Sequence, residues 1–346
     1  MYPFHTLYTF PTGNFLENLH PRPDGQILFT SMSLPHLYSI NPNSISTTSK
    51  PHLPTESCLV HQFPAGKTLS GITEIGPDVF AVNVGKFGGF KAEPGSHSIW
   101  IVDMTNVPDS FDCRTAEREG RKGDGPVVKK VVDVTSAGLI NGLTSLPPAP
   151  DRQTRIVLAA DSMQGRVYAI DLDTATFEIM RDDPQLAPSN SEGTVPLGIN
   201  GLRVSPSGQW LYITNSATGI FGRYPLSTTG SIIGDLEILA KIEADMTHAF
   251  DDFCVDADGT SYITTHPNGI YRVTPDGEQE MVAGGEGSEI VAPTSCCLVE
   301  SKVKKGGEAG KSKEGGRGKW LIVTCGMTFA DGVRGGGRIV VVELEL

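Results

Sequence analysis

The chain reads as all-β, a six-bladed β-propeller formed as a single domain over residues 1–346. Three observations predict this. A unit of polar leader, apolar strand, turn and second apolar strand recurs six times, starting near residues 17, 70, 141, 200, 251 and 294. The starts lie roughly 40–70 residues apart, the spacing of propeller blades. Helical periodicity is almost absent, while Gly 40 and Pro 24 supply frequent turns.

Each unit can be read off in order. The first is "ENLHPRPDGQILFTS" from Glu17 and the second "SGITEIGPDVFAVNV" from Ser70. The third is "NGLTSLPPAPDRQTRIVLAADS" from Asn141 and the fourth "NGLRVSPSGQWLYITNS" from Asn200. "DDFCVDADGTSYITT" opens at Asp251; "TSCCLVESK" opens at Thr294 and resumes at "KWLIVTCG". A third strand follows in most units: "HLYSINP", "SIWIVDM", "RVYAIDLD", "GRYPL", "GIYRVTPDG" and "GRIVVVELEL". "HTLYTF" precedes the first unit and has no blade of its own. It is expected to pair with the strand of "RIVVVELEL" and so close the ring without an open edge. "CRTAEREGRKGDG" and "KVKKGGEAGKSKEGGRGK" are charged or Gly/Lys-rich and read as solvated surface insertions.

Composition narrows the partners. The formal net charge is -12, which argues against nucleic acid or an anionic membrane surface. No apolar run approaches the length of a membrane span. "MYPFHTLYTFPTG" lacks the basic start and long apolar core of a signal peptide. The six cysteines show neither metal spacing nor a disulfide framework and read as reduced and structural. A cytoplasmic monomer acting on small molecules is expected, secreted only if a leader precedes Met1.

Propeller topology says which residues meet. Innermost strands run along the central channel and second strands return, so strand starts and return ends share one face near the axis. The starts supply Glu17, Asn141, Asn200 and Asp251, with Asn18, Asp252 and Thr294 adjacent. The returns supply Met32, Asn83, Asp161, Ser162, Asn215, His266 and Met327; loops add Lys86, Phe87, Phe90, Gln164, Phe221 and Phe329. The expected pocket has a polar, acidic floor under an aromatic and Met-bearing rim. Glu17, Asn200 and Asp251 form a hard-oxygen set suited to calcium or another divalent cation, with Asn141 close by. Asp251, Asn200, Asn141 and His266 are the candidate catalytic residues; Asp252 is expected to turn toward the neighbouring blade. Asn18, Met32, Phe87, Phe90, Asp161, Ser162, Asn215, Phe221, Thr294 and Met327 are the candidate substrate contacts. Asp161 and Ser162 with His266 would make a hydrolytic triad, but no Gly-X-Ser-X-Gly elbow supports one.

The pattern Glu17, Asn141, Asn200, Asp251 on six blades resembles the senescence marker protein/gluconolactonase family. The resemblance implies a six-bladed propeller, an axial divalent ion held by a Glu, Asn and Asp set, and lactone hydrolysis. The chain departs from that family at Glu17-Asn18-Leu19, where Glu-Gly-Pro is usual, and at Asp252, where glycine is usual. "FLENLHPRPDGQILFT", "LINGLTSLP", "VLAADSMQGRVYAID", "PLGINGL", "DDFCVDADG" and "IVAPTS" resemble more closely a fungal branch that includes the hetero-Diels-Alderases of tropolone-sesquiterpenoid biosynthesis. That resemblance implies a cofactor-free cycloaddition of a quinone methide with a terpene alkene, and the expected apolar rim favours it. Metal-dependent lactone hydrolysis is the alternative, and a non-catalytic binding propeller the third.

Overall fold

A computed structural model describes residues 1–42, 57–88, 91–107, 125–149, 152, 154–189, 192–301, 318–326 and 335–344. Among these residues there is no α-helix, and none long and apolar enough to cross a membrane. The strands form six four-stranded antiparallel sheets and one short two-stranded ribbon.

The N-terminal strand β1 (Phe4–Thr9) stands apart from the first blade, β2 (Leu16–Pro21), β3 (Ile27–Ser31), β4 (His36–Ile40) and β5 (Cys58–Gln62). Blade two is β6 (Thr68–Gly76), β7 (Val79–Gly85), β10 (Ser98–Asp103) and β11 (Val127–Asp133). The ribbon β8 (Phe87–Gly88) and β9 (Lys91–Ala92) interrupts it. Blade three is β12 (Ile140–Ser145), β13 (Ile156–Asp161), β14 (Arg166–Asp171) and β15 (Thr176–Asp182). Blade four is β16 (Ile199–Val204), β17 (Trp210–Asn215), β18 (Ile220–Pro225) and β19 (Glu237–Lys241). Blade five is β20 (Ala249–Val255), β21 (Ser261–His266), β22 (Gly269–Val273) and β23 (Gln279–Gly284). Blade six takes β24 (Pro293–Ser301), β25 (Gly318–Cys325) and β26 (Arg338–Leu344), and receives β1 as its outer strand. The expected closure is therefore present: Phe4 pairs with Val342 and Thr9 with Arg338.

The core lies between blades. Six buried clusters each join two neighbours, as where Phe80 and Val82 of blade two meet Leu28 and Leu37 of blade one. Strand alternation explains this, because both faces of every sheet meet another sheet and both must be apolar. Outer strands are the exception. β11 and β15 read "VVKKVVD" and "TFEIMRD" and are largely exposed. Such mixed runs lack a continuous apolar signal, and the three-strand units of the sequence left them out. Of the two expected insertions, residues 113–124 and 302–317 lie outside the described residues. Gly318 and Lys319, assigned to the second, instead begin β25. Lys319 pairs there with Asp256.

Candidate functional site

The repeated leader is a β-bulge. In the ladder between first and second strands, pairing skips residues 17–18, 70–71, 141–142, 200–201 and 251–252, and slips once more at 294. A bulge leaves residues without a cross-strand partner and re-aims their side chains. Here it does so at the same level of every inner strand, around the channel. In three blades the second bulge residue must be glycine. A Cβ at Gly71, Gly142 or Gly201 would lie 2.4, 2.8 or 2.3 Å from Asn141 O, Asn200 O or Asp252 Oδ1 respectively. In blades one and five this second position carries Asn18 and Asp252.

The first bulge residues build the floor. Glu17 is 3% exposed and Asn141, Asn200 and Asp251 are buried with it. Asn200 Nδ2 donates to Ser216 Oγ at 2.9 Å, and Ser216 Oγ donates to Phe250 O at 2.7 Å. Asp251 Oδ2 lies 3.0 Å from His266 Nε2 at the end of β21. Asn141 Oδ1, Asn200 Oδ1 and Asp251 Oδ1 are buried without any hydrogen-bond partner. A buried oxygen left unpaired is costly, so three on one ring of bulges point to a ligand. Burial, followed by the nearby Asp251 and Asp252 carboxylates, pushes Glu17 well above the usual carboxylate range. Burial also raises Asp251, against the hydrogen bond from His266.

Asp252 faces away from this set. Its Oδ1 accepts its own chain's Phe253 N–H at 2.8 Å, and its Oδ2 takes Ser295 Oγ at 2.8 Å and Arg203 Nη2 at 2.5 Å. It does turn to its neighbours, as expected. Arg203 was not singled out in the sequence, because "GLRVSP" reads as an ordinary strand and only ring closure brings it to the axis. Arg203 also lines a cavity of about 250 Å³, together with Leu19, His20, Cys254, Cys296 and Leu298. Burial pushes the Cys296 thiol up, which makes it an inert structural cysteine.

Several expected pocket residues serve the scaffold instead. Phe221 is fully buried in the cluster joining blades four and five, 5.1 Å from Phe253 and 5.8 Å from Tyr212 by ring centroids. It lies on β18, one strand further out than the pocket wall, so its expected place on the rim is corrected. Asp161 accepts backbone N–H groups from Gly138, Leu139, Met163 and Gln164 at 2.8–3.1 Å and organises the turn after β13. Ser162 Oγ donates to Ile199 O at 2.6 Å. With both so engaged, Asp161 and Ser162 form no triad with His266. Asn215 Nδ2 donates to Gln185 O and Ala187 O, and its Oδ1 accepts from Thr218 N. Thr294 Oγ1 bonds Leu16 O and Glu17 O, stitching blade six to blade one. Asn18 Oδ1 accepts from Arg203 Nη2 at 3.2 Å. Met32 is buried just after β3, and Phe87 is half-buried on the ribbon. Phe90, Met327 and Phe329 lie outside the described residues. Lys86 is exposed and pairs with Glu93, while Gln164 Nε2 donates to Ser136 O. His97, not singled out from the sequence, is buried beside Asn83. Its short polar context, "GSHS", carries no signal beyond that of a loop.

Comparison with known proteins agrees with this fold. Residues 194–305 match the SMP-30/Gluconolactonase/LRE-like region. This gluconolactonase-like region runs from before β16 through β24, so it holds Asn200, Arg203, Asp251, Asp252 and His266. Glu17 and Asn141 lie outside it. Comparison with curated protein sequences finds no significant match. Among solved structures, a luciferin-regenerating enzyme is 13% identical with a TM-score of 0.61, over 99% of this chain and 98% of that one. The calcium-binding protein regucalcin from Agrobacterium tumefaciens is 13% identical with a TM-score of 0.60, over 99% and 94% of the two chains. A virginiamycin B lyase from Staphylococcus aureus is 12% identical with a TM-score of 0.53, over the full length of both. At such identities the likeness carries the fold.

The axial donors fit a hard divalent cation. Among the described residues no three His, Cys, Asp or Glu side chains gather to hold a metal, so a donor set here must include the carboxamide oxygens of Asn141 and Asn200. Carboxylate and amide oxygens suit calcium, whereas zinc takes nitrogen and sulfur more readily.

Proposed function

We propose that this protein is a divalent-cation-dependent hydrolase of small lactones, with its site on the propeller axis. The observation that carries the reading is the set of three buried, unpartnered oxygens, Asn141 Oδ1, Asn200 Oδ1 and Asp251 Oδ1, beside the buried Glu17. Glu17, Asn200 and Asp251 would hold the cation, with Asn141 beside them. When bound, such an ion polarises a carbonyl and lowers the pKa of a water. The chain's own residues supply the rest. Asp251 is held in orientation by His266 and would accept the proton of the attacking water. Ser216 fixes the Asn200 amide so that its oxygen stays turned to the axis. Asp252 is set aside as the base because Arg203, Ser295 and the Phe253 N–H hold its oxygens away from the buried axial set. The similarity of residues 194–305 to the gluconolactonase-like region supports the same reading.

The cycloaddition reading drew on the resemblance to the fungal branch and on an expected apolar rim. Of Phe87, Phe90, Phe221 and Met327, Phe221 is core, and Phe90 and Met327 lie outside the described residues. The deciding assay gives chelator-dialysed protein a panel of aldonolactones with and without calcium, manganese or zinc, and separately a quinone-methide precursor with a terpene alkene. Cation-dependent lactone opening, reduced at least a hundredfold in Asp251→Asn, is expected. Lactones left unopened under every cation, or opened equally well by Asp251→Asn, would overturn the proposal. A single-stereoisomer cycloadduct formed in chelator would replace it with the cyclase.

A further inference from the structure

Arg203 occupies the axis where neighbouring blades carry small or neutral groups. It sits two residues past the bulge position Gly201, on β16, and its side chain crosses the channel. Nη2 reaches Asp252 Oδ2 of blade five at 2.5 Å and Asn18 Oδ1 of blade one at 3.2 Å. Nη1 donates to Leu202 O at 2.8 Å and to Leu143 O of blade three at 3.4 Å. One guanidinium thus bridges four blades directly beneath the ring of bulges.

Its partner is the unusual member. Asp252 stands where blades two, three and four place a glycine, and its side chain is 1% exposed. Every oxygen of Asp252 is satisfied by Arg203, Ser295 and the Phe253 N–H, so it is no ligand. Its charge nevertheless acts on both Glu17 and Asp251. A buried carboxylate stripped of its partner is strongly unfavourable. The affinity and selectivity of an oxygen-lined cation site follow its charge count. With a cation bound, Glu17 and Asp251 would be ionised; together with Asp252 they bring three negative charges, and Arg203 removes one, which leaves two.

We infer that Arg203 is a specificity-determining residue of the axial site: by cancelling Asp252 it sets the site's charge to match a divalent rather than a trivalent cation. The inference rests on the reading of the axis as a cation site. Calcium and terbium(III) have similar radii and the same preference for oxygen, so charge is the main difference between them.

The test measures calcium and terbium affinities by calorimetry and terbium luminescence on the full chain. The variants are Arg203→Met, Asp252→Asn and the double variant. Arg203→Met leaves three negative charges and should raise the terbium-to-calcium affinity ratio at least tenfold. Asp252→Asn leaves one and should lower the ratio by a similar factor. The double variant leaves two and should restore the wild-type ratio. If Arg203→Met does not fold, the fall in Asp252→Asn and its reversal in the double variant make the same test. Wild-type protein that binds calcium, with all folded variants within twofold of its ratio, overturns the role of Arg203 alone. Wild-type protein that binds neither ion removes the axial cation site itself, and this inference with it.

Discussion

Phe221 and Asp251 show how far residue type fails to declare role. The sequence placed Asp251 at a strand start and Phe221 in a loop beside the channel, yet Phe221 is sealed between blades while Asp251 belongs to the ring of bulges. Phe221 stacks on Tyr212 and meets Phe253 edge-on, so Phe221→Ala should act through a cavity. A loss of about 3–5 kcal/mol is expected for a buried Phe, read as a lower denaturation midpoint with substrate KM unchanged once the protein is folded. A variant of full stability that loses substrate affinity would return Phe221 to the pocket. Asp161 makes the same point with polar chemistry. Asp161→Ala strands four backbone N–H donors, at about 1–3 kcal/mol for each that stays buried and unpaired. The turn after β13 should then gain amide exchange before the rest of blade three does. Uniform exchange across the blade would show that the carboxylate does not hold that turn.

At the scale of elements, the bulge and the closing strand carry the design. Each inner strand spends its regular pairing at the same level, which brings polar side chains to the axis while the remaining strand stays apolar. Among the described strands β1 pairs only with β26, and through it blade six is completed by the opposite end of the chain. Deleting residues 1–9 exposes the whole edge of β26, whose "RIVVVEL" run is apolar and β-branched. Such an edge recruits other chains. The truncated protein should therefore melt at a lower temperature and scatter light as oligomers at micromolar concentration. A monomer that melts with the full-length protein would show that β1 is dispensable to closure.

For the molecule as a whole, pH reports on the packing between blades. Burial holds His20 and His97 to about 4, against an ordinary value of 6.5. The unfolded chain takes up their protons below 6.5, whereas the folded chain refuses them until about 4. Stability is thus fully present above 6.5 and falls as the pH drops from 6.5 toward 4. Unfolding across that window should take up as much as one proton for each of the two, and His97→Gln should remove its share. Denaturant midpoints recorded at half-unit steps check this; an unchanged slope in His97→Gln would mean that the ring is already solvated. The two histidines lie in blades one and two, so the acid response belongs to the ring rather than to one sheet.

The sequence by itself determined the architecture. Six leader units, their spacing and the orphan strand at the start were enough, because inner strands packed on both faces must be continuously apolar and their turns must be rich in Gly, Pro and Asp. It also picked out Glu17, Asn141, Asn200 and Asp251, since a bulge breaks that apolar run at the same point in each repeat and the break is visible as a polar leader. It could not separate Phe221 or Asp161 from the pocket. Phe221 lies one strand further out than the pocket wall, and the Asp161 carboxylate is filled by backbone N–H groups of its own turn; neither fact shows in the local sequence. Nor could it single out Arg203. A lone arginine in a strand reads as exposed, and its partners Asn18, Leu143 and Asp252 come from three other blades. Only closure of the ring makes that one side chain the shared counter-charge of the channel.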